Sequence, residues 1–189
     1  MLAVFPLNIV ILPEESVALH LFEARYRELF ADHKNGKEFV IQYYKKGVNS
    51  TCGTIVYIDQ IVNEFPDGTV DVIVKGIQAV KTLYFEPVMK DKMYSGVEIE
   101  RIGLLSNAND KLVAQFKDYL LSVKKSTNKP GPFSLYYIAN RLQLSHTTKN
   151  ELVCIDSDSL ANTFLINEIR FLKKIREQED TLNSNFQLN

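Results

Sequence analysis

The dominant period of the apolar residues of this chain changes near residue 105, and that change limits the fold more than any other feature of the sequence. Before it, apolar runs are short, rich in β-branched residues and bounded by turn residues. After it, they recur every three to four positions. A two-residue period sends side chains to alternate faces of a strand, whereas a 3.6-residue period lines one face of a helix. The chain is therefore expected to be α+β, with a β-rich part over about 1–104 and a helical part over 105–189.

Within the first part, Ala3–Leu12 reads as a buried strand ended by Pro13, and Val17–Leu21 as a second extended piece. Phe22–His33 switches to helical spacing, with Phe22, Tyr26, Leu29 and Phe30 on one face and Asn35-Gly36 as its stop. Glu38–Lys46 places Phe39, Ile41 and Tyr43 on one face of a strand, followed by a turn over Gly47–Ser50. Gly53–Asn63 is strongly β-branched. Pro66-Asp67-Gly68 is a turn, since Pro presets one φ and Gly permits a positive one. Thr69–Phe85 is too long for one straight strand, and Gly76 marks its bend; Met93–Ile102 completes the set. Several strands with one inserted helix predict a small, partly closed barrel.

In the second part, Leu112, Phe116, Tyr119 and Val123 share a helical face. A loop over 126–132 leads to a helix predicted at Phe133–Leu144, and Thr148-Lys149-Asn150-Glu151 fits a capping box that starts another. The last helix is expected from Ser157 to about Glu179, with a frayed polar tail from Thr181.

Charge narrows the function. With 22 Lys and Arg against 23 Asp and Glu, the chain lacks the basic surplus that phosphate binding requires, so no nucleic-acid partner is expected. Cys52 and Cys154 form no CxxC pattern and are read as reduced thiols of a cytosolic protein. Met1–Leu12 is apolar but too short to span a membrane and lacks a basic start, so no membrane association is expected and the cytoplasm is the expected location. His20, His33 and His146 lack metal-ligand spacing, and His146 reads as an exposed loop residue. No Gly-x4-Gly-Lys-Ser/Thr loop and no Gly-x-Ser-x-Gly elbow occurs. No catalytic residue, metal or cofactor is therefore expected.

Two regions are candidates for contact with a partner. In the cluster His20, Glu23, Arg25 and Arg27, one reading has Glu23 and Arg25 fixing a strand-to-helix junction, and the other has Arg25 and Arg27 facing a peptide. The segment from Tyr84 and Phe85 through Met89 to Met93 and Tyr94 mixes adaptable aromatic and thioether side chains with lysines. It reads either as a binding surface or as a hairpin whose apolar residues are core.

The order of several blocks resembles the N-terminal substrate-recognition domain of Lon proteases. Phe5-Pro6-Leu7, Leu12-Pro13 and the run Leu19-His20-Leu21-Phe22-Glu23-Ala24-Arg25-Tyr26-Arg27 look like the opening of that family. Gly53-Thr54-Ile55, Pro66-Asp67-Gly68, Val74-Lys75-Gly76 and Lys149-Asn150-Glu151-Leu152 follow in the family's order. The chain departs where a glycine is commoner in the turn holding Glu14 and Glu15, where Pro is frequent at Ala24, and where Arg is frequent at Ala79.

The resemblance implies a PUA-like β pseudobarrel with one inserted helix, followed by a C-terminal helical bundle. It also implies a module that recognises unfolded or extended polypeptide, acting beside a protease or chaperone in protein quality control. Neither a nucleotide loop nor a Ser–Lys protease domain is visible, so the expected role in degradation is indirect. The alternative implied by PUA-like barrels elsewhere is RNA binding; a small hydrolase is a third reading and would need a deep pocket with converging titratable groups. Oligomeric state is not legible.

Overall fold

The computed structural model describes residues 1–103, 107–126 and 131–186. The elements are β1 (Leu2–Leu7), β2 (Ser16–Leu21), α1 (Ala24–His33), β3 (Phe39–Lys45), β4 (Val48–Glu64), β5 (Val70–Glu86), β6 (Ser95–Arg101), α2 (Asp110–Ser122), α3 (Leu135–Ala139), α4 (His146–Val153) and α5 (Asp158–Phe186). They form two compact units: 1–104 with 143–155, and 105–142 with 156–189.

In the first unit the sheet order is β2-β5-β4-β3-β1-β6, and a further β5–β6 pairing joins β5, β4, β3, β1 and β6 into a ring. Among the described residues only β1 and β3 run parallel. The bend in β5 makes the ring possible. Residues 70–75 of β5 pair with β2, and residues 80–86 pair with β6. Between them Ile55 opposes Gln78 and Val56 opposes Gly76, leaving Ile77 as an extra residue, the mark of a bulge. Gly76 lies where the turn after β1 crosses the sheet: its N–H donates to the Glu15 carbonyl, and its own carbonyl accepts from the Glu14 N–H. A Cβ at position 76 would stand 2.2 Å from the Leu12 carbonyl oxygen. Glu14, in the turn where the family commonly has glycine, has a φ of 65°.

Strand alternation sorts the core. Ala3 and Phe5, and likewise Phe39 and Ile41, join a large cluster with Tyr26, Leu29 and Phe30 of α1. The intervening Val4 and Val40 meet Ile55, Val80 and Val97, one residue from each of the ring's strands. α1 buries Tyr26, Leu29, Phe30 and His33 at helical spacing.

In the second unit, Asn109 caps α2 by accepting from the Leu112 N–H, and Ser134 caps α3 by accepting from Tyr137. Phe133 meets Phe116 edge to face at 5.9 Å and stacks on Tyr137 at 5.0 Å. Asn162 of α5 is buried and satisfied: it accepts from Asn109 N–H and donates to the carbonyls of Asn107 and Asp158.

Some local expectations differ from the structure. The helix expected over Phe133–Leu144 is confined to Leu135–Ala139. α4 begins at His146 because Ser145, not Thr148, is the cap; its hydroxyl accepts from the Thr148 N–H. α5 runs through Thr181 to Phe186, past the expected frayed tail. The turn of the β3–β4 hairpin lies at Lys46-Gly47, both with positive φ, so strand β4 already starts at Val48. Residues 143–155 belong to the same compact unit as the sheet, so the helical part is not one continuous stretch.

The expectation of two reduced thiols is corrected. Cys52 of β4 and Cys154 after α4 form a disulfide, with Cα atoms 5.6 Å apart across a separation of 102 residues. Pairing at that separation leaves no local sequence signal, so spacing rules for short motifs miss it.

Candidate functional site

β1 and the β2–α1 junction bring the opening sequence block to one place. The Phe5 and Tyr26 rings stack with centroids 3.6 Å apart, and the Arg25 guanidinium lies 4.4 Å from the Tyr26 centroid. Glu23 holds that guanidinium, accepting from Nε at 2.9 Å and lying 2.8 Å from Nη2. Burial raises the Tyr26 phenol above its ordinary pKa, against the opposing pull of Arg25. Tyr26 is therefore neutral and Arg25 supplies the cation.

Beside this stack runs a groove. One part, of about 300 Å³, is lined by Pro6, Arg25, Tyr26, Tyr44, Asn49 and Phe85, with Ser95 at its side. A neighbouring part of about 230 Å³ shares Pro6, Arg25, Tyr26 and Tyr44 and extends to His20 and Phe22. Tyr44 and Asn49 face each other across the β3–β4 hairpin. The Asn49 Oδ1 is buried and finds no hydrogen-bond partner among the described residues. Phe22 is 62% exposed, and His20 beside it bonds Asp71 at 2.6 Å, which lowers the Asp71 carboxyl pKa. The site thus offers aromatic and proline faces and a held guanidinium. These features suit binding of a chain with mixed polar and apolar groups.

The structure separates the expected contact residues. Arg25 and Phe85 come together in the groove. Arg27 turns away and donates from Nη1 to the Asp67 carbonyl at 2.9 Å, beside Gly68, which takes a φ of 81°. Asp67 also accepts from the backbone and hydroxyl of Thr69, which tightens that turn. Tyr84 is exposed and donates to Glu86. Met93 is exposed, with its backbone N–H on Glu28. Met89 is partly buried against the core beneath α1. Tyr94 points inwards: it is 4% exposed and its hydroxyl donates to Asp32 at 2.7 Å, so it belongs to the core. His146 heads α4 and accepts from the Val10 N–H at 3.2 Å, replacing the loop position expected for it.

The remaining motif residues shape the backbone. Pro13 is buried in the turn over Gly76. Leu7 packs against the core edge. Gly53 gives close approach to β3, since a Cβ there would lie 2.9 Å from the Ile41 carbonyl oxygen. Tyr44 and Asn49 were not singled out in the sequence. The alternation that turned Tyr43 to one face implied the opposite face for Tyr44, which is the signal that was available. Among the described residues no group of three or more His, Cys, Asp or Glu is arranged to hold a metal ion, and no helix is long and apolar enough to cross a membrane.

A family model described as the ATP-dependent protease La (LON) substrate-binding domain matches residues 1–182. The chain belongs to the Lon substrate-binding domain family. Solved structures agree on the fold. A Lon N-terminal domain protein from Xanthomonas campestris is similar at 22% identity and a TM-score of 0.62, covering 83% of this chain and 91% of that one. The N-terminal domain of the Mycobacterium avium complex Lon protease is similar at 16% identity and a TM-score of 0.65, covering 89% of this chain and 97% of that one. No curated protein matches the chain. The Lon N-terminal domain fold is thus mixed α+β here, with a six-stranded sheet and helices α1–α5.

Proposed function

We propose that this member of the Lon family is a non-catalytic polypeptide-binding module whose binding surface is the groove between Pro6, Arg25, Tyr44 and Phe85. The observation that carries the reading is convergence: the family's opening block and the distant Phe85 line the same depression. An extended peptide presents side chains for the proline and aromatic faces of such a groove. Tyr84 and Met93 extend the exposed apolar surface on the adjoining hairpin. A PUA-like pseudobarrel is the matching fold reading, supported by the β5–β6 pairing that closes the ring. A role as a quality-control adaptor beside a protease or chaperone, in the cytoplasm, follows the family resemblance.

The test is binding of the purified chain to a permanently unfolded, carboxymethylated model protein, followed by fluorescence anisotropy at low and high salt. Wild type is expected to bind the unfolded form and not the native one. Tyr44→Ser, at an exposed position, is expected to weaken binding with the fold unchanged, and Phe85→Asp to weaken it further. Absence of association at both salt concentrations would remove the proposal.

A further inference from the structure

The disulfide joins two residues of unequal exposure. Cys52 lies within β4, 4% exposed, opposite Lys81 of β5. Cys154 is the residue that ends α4 and is exposed. A nucleophile arriving from solvent therefore meets Cys154 first, and Cys52 is the sulfur left behind.

The bond also has a mechanical position. α4 is held to the sheet unit by Leu152 and Val153, both essentially fully buried, and by polar ties on its first turns. His146 accepts from Val10, Lys149 donates to Glu15 at 2.5 Å, and Thr147 accepts from Lys45 at 3.0 Å. Every one of these ties can open with local fluctuation. The disulfide is the covalent tie at the helix's far end, and it closes a chain separation of 102 residues.

We propose that Cys154 is a thiol–disulfide exchange site for a dithiol reductant, and that its bond to Cys52 is a latch holding α4 on the sheet. One thiolate of the dithiol attacks the Cys154 sulfur. The S–S bond breaks, its electron pair passes to Cys52, and the Cys52 thiolate takes a proton. The second thiol of the reductant loses its proton and attacks the mixed disulfide, expelling Cys154 as a thiolate that takes up that proton. The protein gains two thiols and the dithiol becomes a disulfide. Exchange follows the access and thiolate character of the attacking and attacked sulfurs. Once the bond is open, only the apolar and polar ties that fluctuate hold α4, so it is released locally more often while the sheet stays folded.

Two experiments on the full chain decide this. In the first, Cys52→Ser and Cys154→Ser are each incubated with oxidised glutathione and followed by intact mass. Cys52→Ser is expected to gain one glutathione at Cys154, and Cys154→Ser to react at Cys52 at least about tenfold more slowly, because its sulfur is reached only through local opening. In the second, amide hydrogen exchange of wild type is compared before and after dithiothreitol. Exchange over α4 is expected to quicken at least about tenfold, with β3, β4 and β5 unchanged. Equal labelling of the two positions overturns the exchange site. Two free thiols in protein prepared without reductant, unchanged exchange in α4, or loss of protection across the whole sheet overturns the latch. Wild type with reductant reports on α4 even if a serine variant folds poorly.

Discussion

The carbonyl oxygen of Leu12 occupies the space where a side chain at Gly76 would begin, 2.2 Å from the ideal Cβ position. The contact seats the turn after β1 on the bend of β5, and backbone hydrogen bonds from Glu14 and Gly76 fix it. Gly76→Ala must therefore move the Leu12 backbone or straighten the bend. We expect a loss of about 2–3 kcal/mol, as for other overpacked sites. Urea unfolding should show a lower midpoint at unchanged slope. A variant as stable as wild type would show that the turn yields without cost.

Replacement of Cys52 and Cys154 together by serine removes a cross-link spanning 102 residues. The expected loss is about 2–4 kcal/mol, mainly because the unfolded chain regains freedom. Wild type unfolded in dithiothreitol should coincide with the double variant, and non-reduced wild type should lie above both.

Two neighbouring groups set the pH response. His33 is buried against Phe39 and Tyr94 and donates from Nδ1 to the Leu29 carbonyl; burial is the main cause of its lowered pKa. The unfolded chain thus takes a proton near pH 6.5 that the folded chain resists, so stability is full above about 6.5 and falls as pH drops towards the folded value. Asp32 accepts from Lys92 and Tyr94, and those hydrogen bonds hold its carboxyl below 3.8. Its contribution is present above the unfolded value and is lost as pH falls through the lower folded one. Unfolding free energy measured from neutral to acid pH should decline in two stages. His33→Phe should flatten the first, and Asp32→Asn the second.

Lys149 and Glu15 form an ion pair at 2.5 Å with side chains only 12% and 20% exposed. Glu15 also accepts from the Leu12 N–H, so it anchors both α4 and the turn over Gly76. Lys149→Met leaves that carboxylate with a missing cation and should cost about 1–3 kcal/mol, between the values for exposed and buried pairs. Adding Glu15→Gln should cost less than the sum of the single losses, which a double-mutant cycle measures.

Local patterns carried most of the fold. Alternation at Phe39, Val40 and Ile41 reports the two faces of β3, and Gly76 in a long β-branched run reports the bend. What stayed hidden depends on residues distant in sequence. Capping-box spacing pointed to Thr148 as the cap of α4, and the backbone selects Ser145. The groove was half legible: Arg25 and Phe85 were singled out, while Asn49 matters only because hairpin pairing sets it opposite Tyr44. Arg27 resembles Arg25 in type, yet the Asp67 carbonyl of a turn 40 positions away captures it. The cystine has the same origin, since no local spacing announces it.

The path of the chain has a practical result. Residues 143–155 leave one compact unit to complete the other, then the chain returns. A truncation after residue 103 therefore does not yield an intact sheet unit. It strips away α4, orphans Cys52, and removes the cation from Glu15. Isolating the sheet requires grafting the 143–155 stretch back through an artificial tether, and during synthesis that unit cannot be finished until the ribosome has passed residues 105–142 of the helical one.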